Sequence, residues 1–335
     1  MKAIRLRSPI GVDTLEVADI PDPGQPGQGE IRVRVRASSL NFHDLGVVSG
    51  KAGAPHGRIP MSDGAGLVEA IGAGVTAFAV GDSVVSTFFP QWLDGAATIG
   101  DFAGTPGDGI DGFAQEFVVR SAQAFTLAPK GWSHAEAATI TTAGLTAWRA
   151  LVADGGLKAG DTVLALGTGG VSIYALQIAK LMGCAVAITS SSDEKLERAK
   201  ALGADYGVNY RRNETWGEAV RAWTGGLGVD HVIEVGGPGT LAQSITAVRV
   251  GGHISMIGVL TGRSGEVPTG LLLARQARLQ GLIVGSRRQQ QAFIAALDLS
   301  KLRPVIDASF ALEDISDAFA LQAAGKHFGK IVLEW

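Results

Sequence analysis

The sequence predicts an α/β protein in two parts, a small β-barrel followed by a doubly wound parallel sheet. Three observations predict it. Asp161 to Met182 reads as strand, glycine turn, helix. From there on, six apolar segments alternate with helical stretches, as a doubly wound parallel sheet requires. Residues 1 to about 120 instead carry short alternating or glycine-punctuated apolar runs, the pattern of strands and tight turns. A length of 335 residues suits two domains better than one.

Composition narrows the class. Hydrophobic residues make up 46% and charged residues 18%, enough for a large core and too apolar for disorder. A net charge of −3 and a pI near 6.1 give no electrostatic case for nucleic acid or an anionic membrane. No apolar run reaches the roughly 18 residues of a membrane span. Met1-Lys2-Ala3-Ile4-Arg5 leads straight into a strand-like segment, so a cytoplasmic protein is expected. The single cysteine, Cys184, excludes an internal disulfide and a cysteine-cluster zinc site. It precedes a buried-looking strand and reads as a packed, inert thiol.

Taken in order, Pro21 to Gly27 is a loop and Ile31 to Arg36 alternates strictly, as a half-exposed strand does. Gly64 to Val85, with Gly66, Gly72, Gly74 and Gly81, reads as short strands and tight turns. Thr87 to Gly112 is a long glycine-rich loop carrying Phe88, Phe89, Trp92 and Phe102. Loops of that length are often functional, and these aromatic side chains are candidates to line a pocket. Ser133 to Asp154 reads as a helix with Ser133 as cap and Glu136 three residues on.

Thr162 to Leu166 is apolar enough for a strand buried on both faces. Gly167-Thr168-Gly169-Gly170-Val171-Ser172 follows, and Ile173, Leu176, Gln177, Ala179 and Lys180 continue at helical spacing. Glycines there let the backbone turn sharply and admit a phosphate to main-chain N–H groups at a helix start. The dinucleotide fingerprint is G-x-G-x-x-G, and Ser172 stands in its last position. Further strands are expected at Ala185–Thr189, Tyr206–Asn209, His231–Val235, His253–Ile257 and Leu279–Val284, and the tail ends in a strand at Lys330 to Leu333. The expected domains are 1–121 with 287–335, and 122–286. A bare apolar edge at Leu279–Val284 invites pairing with a second copy, so a homodimer is expected.

The end of the second strand bears on the cofactor. A free ribose 2′-hydroxyl is usually held by an acid about 20 residues past the glycines. Here Ser190-Ser191-Ser192 follow the strand, with no acid until Asp193. Lys195 and Tyr210 offer a cation and a hydroxyl to a 2′-phosphate, which points to NADP(H) over NAD. The same serines also suit the cap of the helix that contains Lys195.

The motifs resemble the medium-chain dehydrogenase/reductase superfamily across nearly the whole chain. Asn41-Phe42-His43-Asp44 lies where its zinc-containing alcohol dehydrogenases have Cys-x-(Ser/Thr)-Asp. Ser62-Asp63-Gly64-Ala65-Gly66, then Glu69 to Gly72 and Val80 to Val84, is similar to their His-Glu-x-x-Gly signature and its sequel. Thr142-Ala143-Gly144-Leu145-Thr146-Ala147 matches Cys-Ala-Gly-x-Thr, and Gly281 to Arg287 resembles the last cofactor-domain strand. The resemblance implies a GroES-like catalytic domain and a Rossmann domain. For the cofactor it implies contacts from Asn41, Thr142, Thr146, Gly167, Thr168, Gly169, Gly170, Val171, Ser190, Ser191, Lys195, Tyr210, Ile257, Val259, Val284 and Ser286.

The three catalytic zinc ligands of the family would fall on Asn41, Ser62 and Thr142. None is Cys, His or a carboxylate, so no metal is expected. The cysteine-rich structural-zinc lobe is also absent. The chain is closer to the zinc-free quinone oxidoreductase branch, which carries Asn at the position of Asn41 and Ser-Asp-Gly-Ala-Gly in place of His-Glu. Zinc-lacking NADP-dependent alcohol dehydrogenases share its Gly-Thr-Gly-Gly-Val-Ser turn and Val-Gly-Ser-Arg run.

Interconverting an alcohol and a simple carbonyl normally uses a Lewis acid. Without one, hydride addition is easier to a quinone or to the β-carbon of a conjugated carbonyl, where charge delocalises. Asn41 and Thr142 then read as neutral donors at the former metal position. His43 replaces the Ser/Thr that relays a proton, and is either a proton donor or a packed ring. Asp44 is expected to hold local backbone or His43, and Ser62 and Asp63 to fix the turn behind the pocket. His56 and Lys51 lie on a loop. The only tyrosines are Tyr174, Tyr206 and Tyr210, so the phenol of some quinone oxidoreductases is missing. The leading expectation is an NADPH-dependent, zinc-independent reductase of quinones or conjugated carbonyls. The alternatives are a zinc-free dehydrogenase of larger alcohols or ketones and a non-enzymatic NADPH-binding protein.

Overall fold

A computed structural model describes residues 1–335. The chain forms two compact units, Met1–Leu145 with Val284–Trp335, and Thr146–Ile283. The first boundary therefore lies later than the expected 122. Phe125–Leu127 pairs antiparallel with Ser83–Ser86, and the helix starting at His134 packs on the strands of the first unit. That helix begins as its sequence requires: Glu136 N donates to Ser133 Oγ at 3.2 Å and Ser133 N to Glu136 Oε2 at 2.8 Å.

In the first unit a sheet runs in the order Ile306–Ala311, Lys330–Glu334, Glu30–Ser39, Ala65–Ile71, Ser83–Ser86 and Phe125–Leu127, with Phe117–Ser121 also on Glu30–Ser39. Glu30–Ser39 is less open than its alternation suggests. Arg32 is buried, gripped by both Asp22 oxygens and by Glu69, with Phe117 at 4.4 Å. The glycines of Ser62 to Gly66 are places of close approach: a Cβ on Gly66 would lie 2.0 Å from the Arg34 carbonyl oxygen. That contact sets the strand that follows Asp63 hard against its neighbour.

The second unit is a six-stranded parallel sheet in the order Tyr206–Asn209, Ala185–Ser190, Thr162–Ala165, Val229–Glu234, Val248–Met256, Arg278–Gly281. This is the doubly wound order, with the switch point at the first strand. The fifth strand begins at Val248, five residues before expected, through the Gly251-Gly252 pair that reads locally as a turn. The last strand ends at Gly281, and Val284 turns out of the extended region at φ 46°. No helix is long and apolar enough to cross a membrane.

At the strand ends opposite the glycine turn lies a polar cluster. Asp230 accepts from Thr162 N and Oγ1 at 2.7 and 2.8 Å and from Arg249 Nε at 2.6 Å. Beside it, His253 Nδ1 accepts from Arg278 Nε at 2.6 Å and Nε2 lies 2.9 Å from Ser255 Oγ. A guanidinium donating to Nδ1 requires the neutral ring. Burial, with Arg278 and His231 behind it, pushes His253 down to about 4 from 6.5. The unfolded chain takes up a proton below about 6.5 that the folded chain refuses, so stability is full above that pH and falls towards about 4. Melting temperature should drop over this window in the native protein and drop less in His253→Gln. Equal slopes in the two proteins would remove His253 from the acid response.

Candidate active site

Glu30–Ser39 delivers Asn41 to the start of a short helix, Phe42–Val48. Asp44, in its first turn, is buried and holds two backbone N–H groups as well as the Asn41 amide. Its Oδ2 accepts from Asn41 N at 2.9 Å and its Oδ1 from Ser62 N at 2.8 Å. The residue that gathers the site is Asp63, which has no exposed surface. It accepts from Ser39 Oγ at 2.6 Å, Asn41 Nδ2 at 2.8 Å and Thr142 Oγ1 at 2.6 Å. Lys330, from the C-terminal strand, brings Nζ to 3.8 Å from Asp63 and donates to Asn41 Oδ1 and to the Leu40 carbonyl, each at 2.6 Å.

Burial pushes the Asp63 carboxyl up to about 6, against the pull of Lys330, Asn41 and Ser39, while Asp44 adds to the rise. Burial pushes the Lys330 ammonium down, and Asp63 and Asp44 pull it back. Three hydrogen-bond donors and the ammonium leave Asp63 a carboxylate at neutral pH.

This network corrects one expectation. Asn41 and Thr142 are brought together, but neither is a free donor. The Asn41 amide hydrogens point to Asp63 and Asp44, and the Thr142 hydroxyl to Asp63. A carboxylate competes for these hydrogens more strongly than a neutral carbonyl would. Thr142 reaches Asp63 from a widened helical turn, in which Gly144 N bonds back five residues to the Thr139 carbonyl at 3.2 Å.

His43 is the titratable side chain left over. Its ring lies 4.6 Å from Phe102 and 5.4 Å, edge-on, from Phe88, with Phe89 and Trp92 buried behind. Asp108 Oδ2 stands 3.4 Å from Nε2, a contact that falls short of hydrogen-bond geometry. His56 is elsewhere, accepting from Ser8 N at 3.2 Å, and Lys51 is exposed. Sequence reasoning missed Lys330 and Asp108. A lysine opening an apolar strand and an acid between Gly107 and Gly109 were the only signals.

In the second unit, the glycine turn gathers at the carboxyl ends of the strands with the second and third strand ends. Gly167 has φ 72°, and the helix Gly170–Leu181 starts with Gly169 as cap. Ser172 occupies the last fingerprint position because its hydroxyl ties the helix to the strand, donating to the Leu166 carbonyl at 2.6 Å. Gly167 N donates to Thr189 Oγ1 at 3.1 Å. Thr168 is nearly buried, Gly167 and Gly169 face open space, and Val171 lies in the first helical turn.

Ser190 Oγ accepts from Ser192 N, and Ser192 caps the helix Asp193–Ala201 by accepting from Lys195 N at 3.3 Å. Tyr210 follows the adjacent strand, N-bonded to the Ser190 carbonyl at 3.1 Å, with 42% of its surface exposed. Asp193 is committed to Asn209 at 2.6 Å and Arg212 at 2.7 Å. Ile257 and Val259 follow the fifth strand, Ile257 N bonding the Glu234 carbonyl at 2.8 Å. Thr146 is buried within its helix. In the first unit, Val284 is buried and Ser286 caps the helix Arg287–Asp298.

Residues 27–130 match the alcohol dehydrogenase GroES-like domain and residues 170–301 the zinc-binding dehydrogenase domain. A zinc-type alcohol dehydrogenase-like protein of Schizosaccharomyces pombe is 40% identical over 97% of this chain and 96% of its own. An NAD-dependent alcohol dehydrogenase structure superposes with a TM-score of 0.90 at 36% identity, covering 100% of both chains. A quinone oxidoreductase of Pseudomonas syringae pv. Tomato gives 0.83 at 28% identity, over 100% of this chain and 99% of that one. The chain belongs to the medium-chain dehydrogenase/reductase superfamily. Its GroES-like and Rossmann-like parts are those read from the sequence.

The family's catalytic zinc does not fit this member. Its three positions hold an amide and two hydroxyls, and the amide oxygen is already bound by the Lys330 ammonium. No three His, Cys, Asp or Glu side chains cluster to hold a metal ion. A nicotinamide dinucleotide does fit the second unit, where glycines in open space leave the first helical N–H groups approachable.

The buried charges make a stability test. Asp63→Asn or Lys330→Met leaves the other charge buried and unpaired and should cost about 3–5 kcal/mol. The double variant should cost clearly less than the sum. Additive losses in urea denaturation would show that the two charges act independently.

Proposed function

We propose that this oxidoreductase transfers hydride from NADPH to a quinone or conjugated carbonyl without zinc, with His43 as proton donor. The observation that carries the reading is the closure of the former metal position around Asp63. It leaves no electrophile for a simple carbonyl, and leaves His43 as the titratable group with a nitrogen to spare. When bound, the cofactor supplies the hydride. Asn41 acts as a positioning residue, fixing the start of the helix that carries His43. Phe88 and Phe102, set at 88° to each other, flank the imidazole with apolar rings and exclude water from that side of it.

The preference for NADPH rests on the ends of the second and third strands. Ser190, Ser191, Lys195 and Tyr210 lie at or just past these strand ends, and Asp193, the first acid after the second strand, is bound to Arg212 and Asn209. The same His43 supports a second reading, reduction of larger ketones or oxidation of their alcohols, because a general acid suits that chemistry as well.

Turnover of enones, quinones, ketones and alcohols with NADPH and NADH, in the presence of a chelator, tests the reading. Enones or quinones should turn over with NADPH, unaffected by chelation. Lys195→Ala should weaken NADPH alone by about 1.5–3 kcal/mol, the worth of a charge-assisted hydrogen bond. Ketone turnover alone would select the second reading. NADPH binding without turnover of any substrate would select a non-enzymatic role, and loss of activity with chelator would overturn the metal-free assignment.

The same proposal includes a homodimer. Arg278–Gly281 is an unpaired sheet edge, and Leu260, Leu273 and Ile283 expose apolar surface in the same unit. Light scattering at micromolar concentration should give twice the chain mass; a monomer would refute it.

A further inference from the structure

We infer that Asp108 is the positioning residue for His43, so that the two act as an acid/base pair with Nδ1 of the imidazole as the working nitrogen. The inference rests on the proposed role of His43 as proton donor and adds a residue that neither the motifs nor the family match singles out.

The loop is built to put a carboxylate there. Asp108 sits between two glycines that admit no side chain. Gly107 has φ 86°, and a Cβ on it would come within 2.7 Å of Met61 N. A Cβ on Gly109 would lie 2.1 Å from the Ala103 carbonyl oxygen. The turn is pinned at both ends. Asp108 N and Ile110 N bond the Thr105 carbonyl at 3.3 and 3.2 Å. Arg58 donates Nη2 to the Gly109 carbonyl at 2.9 Å and Nη1 to Asp111 at 3.1 Å. From this fixed turn the Asp108 side chain reaches to 3.4 Å from His43 Nε2.

The two nitrogens of His43 are therefore unequal. Nε2 is buried with no hydrogen-bond partner, and Asp108 is the acceptor standing in front of it. A rotation that shortens 3.4 Å by a few tenths makes the bond, and such contacts commonly tighten when substrate binds. Nδ1 carries no hydrogen bond from the protein, so it is the nitrogen left for a substrate.

The charged groups around the ring leave Asp108 without a rival. Asp44, on the same helix, is bonded to Asn41 and Ser62, and Arg58 is bonded to Asp111 and the Gly109 carbonyl. Phe88 and Phe102 are uncharged. Burial pushes Asp108 up while His43 and Arg58 pull it down, which is the environment of an acid that gains from a neighbouring cation.

In the reducing direction the balance is complete. The substrate carbon receives hydride from the reduced nicotinamide. Its oxygen, or the carbon next to it, receives the Nδ1 proton of the imidazolium. The ring that remains is neutral, with its other proton on Nε2 facing Asp108. Solvent restores the Nδ1 proton.

The test compares native protein, Asp108→Asn, Asp108→Glu and His43→Gln by pH–rate profile and by nitrogen NMR of the histidine rings, with His43→Gln assigning the signal. The rate of reduction should fall as pH rises and the imidazolium is lost. In Asp108→Asn that fall should begin at lower pH, because a negative charge beside the ring is gone. Asp108→Glu should recover part of the shift. In the unloaded protein, the proton on Nε2 should dominate in the native chain and lose its preference in Asp108→Asn. An unmoved limb and unchanged ring signals in Asp108→Asn would overturn the pairing. If instead His43→Gln keeps the limb, the role of His43 itself fails, and the ring signals still report whether Asp108 holds Nε2.

Discussion

The buried carboxylate of Asp63 is the constraint on which the first unit depends. A fully desolvated carboxylate is costly unless its oxygens are satisfied and its charge is answered. Side chains from three separate segments meet that need: Ser39 and Asn41 where a strand runs into a helix, Thr142 in a widened helical turn and Lys330 at the C-terminal strand. None of them is a neighbour of Asp63 in sequence, so satisfying one side chain fixes the placement of three pieces of chain around it. The ammonium of Lys330 contributes the positive charge and is itself held by Asn41 Oδ1 and the Leu40 carbonyl.

That arrangement has a consequence for chemistry. Groups that answer a buried carboxylate are held still and are unavailable to a substrate. Asn41 and Thr142 therefore serve position, and Asp44 holds two backbone N–H groups on the same principle. His43, next to Asp44 in sequence, is outside that network, half-buried and packed against aromatic rings, and the proposed chemistry is placed there. A rigid, satisfied base with one unsatisfied residue at its rim is how pre-organised sites are generally supported.

The second unit answers a different demand. Its turn must leave backbone N–H groups open while the strand and helix stay closely packed. Glycine meets the first need at Gly167 and Gly169. Ser172 meets the second by hydrogen-bonding the strand it leaves, which explains why the third fingerprint glycine is dispensable here. The serine run at the end of the second strand is likewise used by the protein itself, since Ser192 caps its helix and Ser190 braces the turn. Capping occupies one oxygen and leaves Ser191 and Tyr210 at the surface of the same strand ends.

The sequence by itself determined the element types of both units, the parallel sheet of the second, the cap at Ser133 and the family. These depend on local periodicity, on glycines and on motifs a few residues long, all of which are written contiguously. It also gives no Cys, His or carboxylate at the three positions where the family resemblance implies zinc ligands, which depends only on residue type. Only the tertiary structure decided which donors are free. Asn41 and Thr142 look like donors in sequence and are consumed in space, because the acid that consumes them is 22 residues from one and 79 from the other. In sequence Lys330 reads as the start of a strand and Asp108 as part of a loop. Their partners lie 289 residues away in one case and on the first helix in the other, and no spacing rule connects them. Burial and hydrogen-bond ownership are properties of distance, and distance is what folding alone supplies.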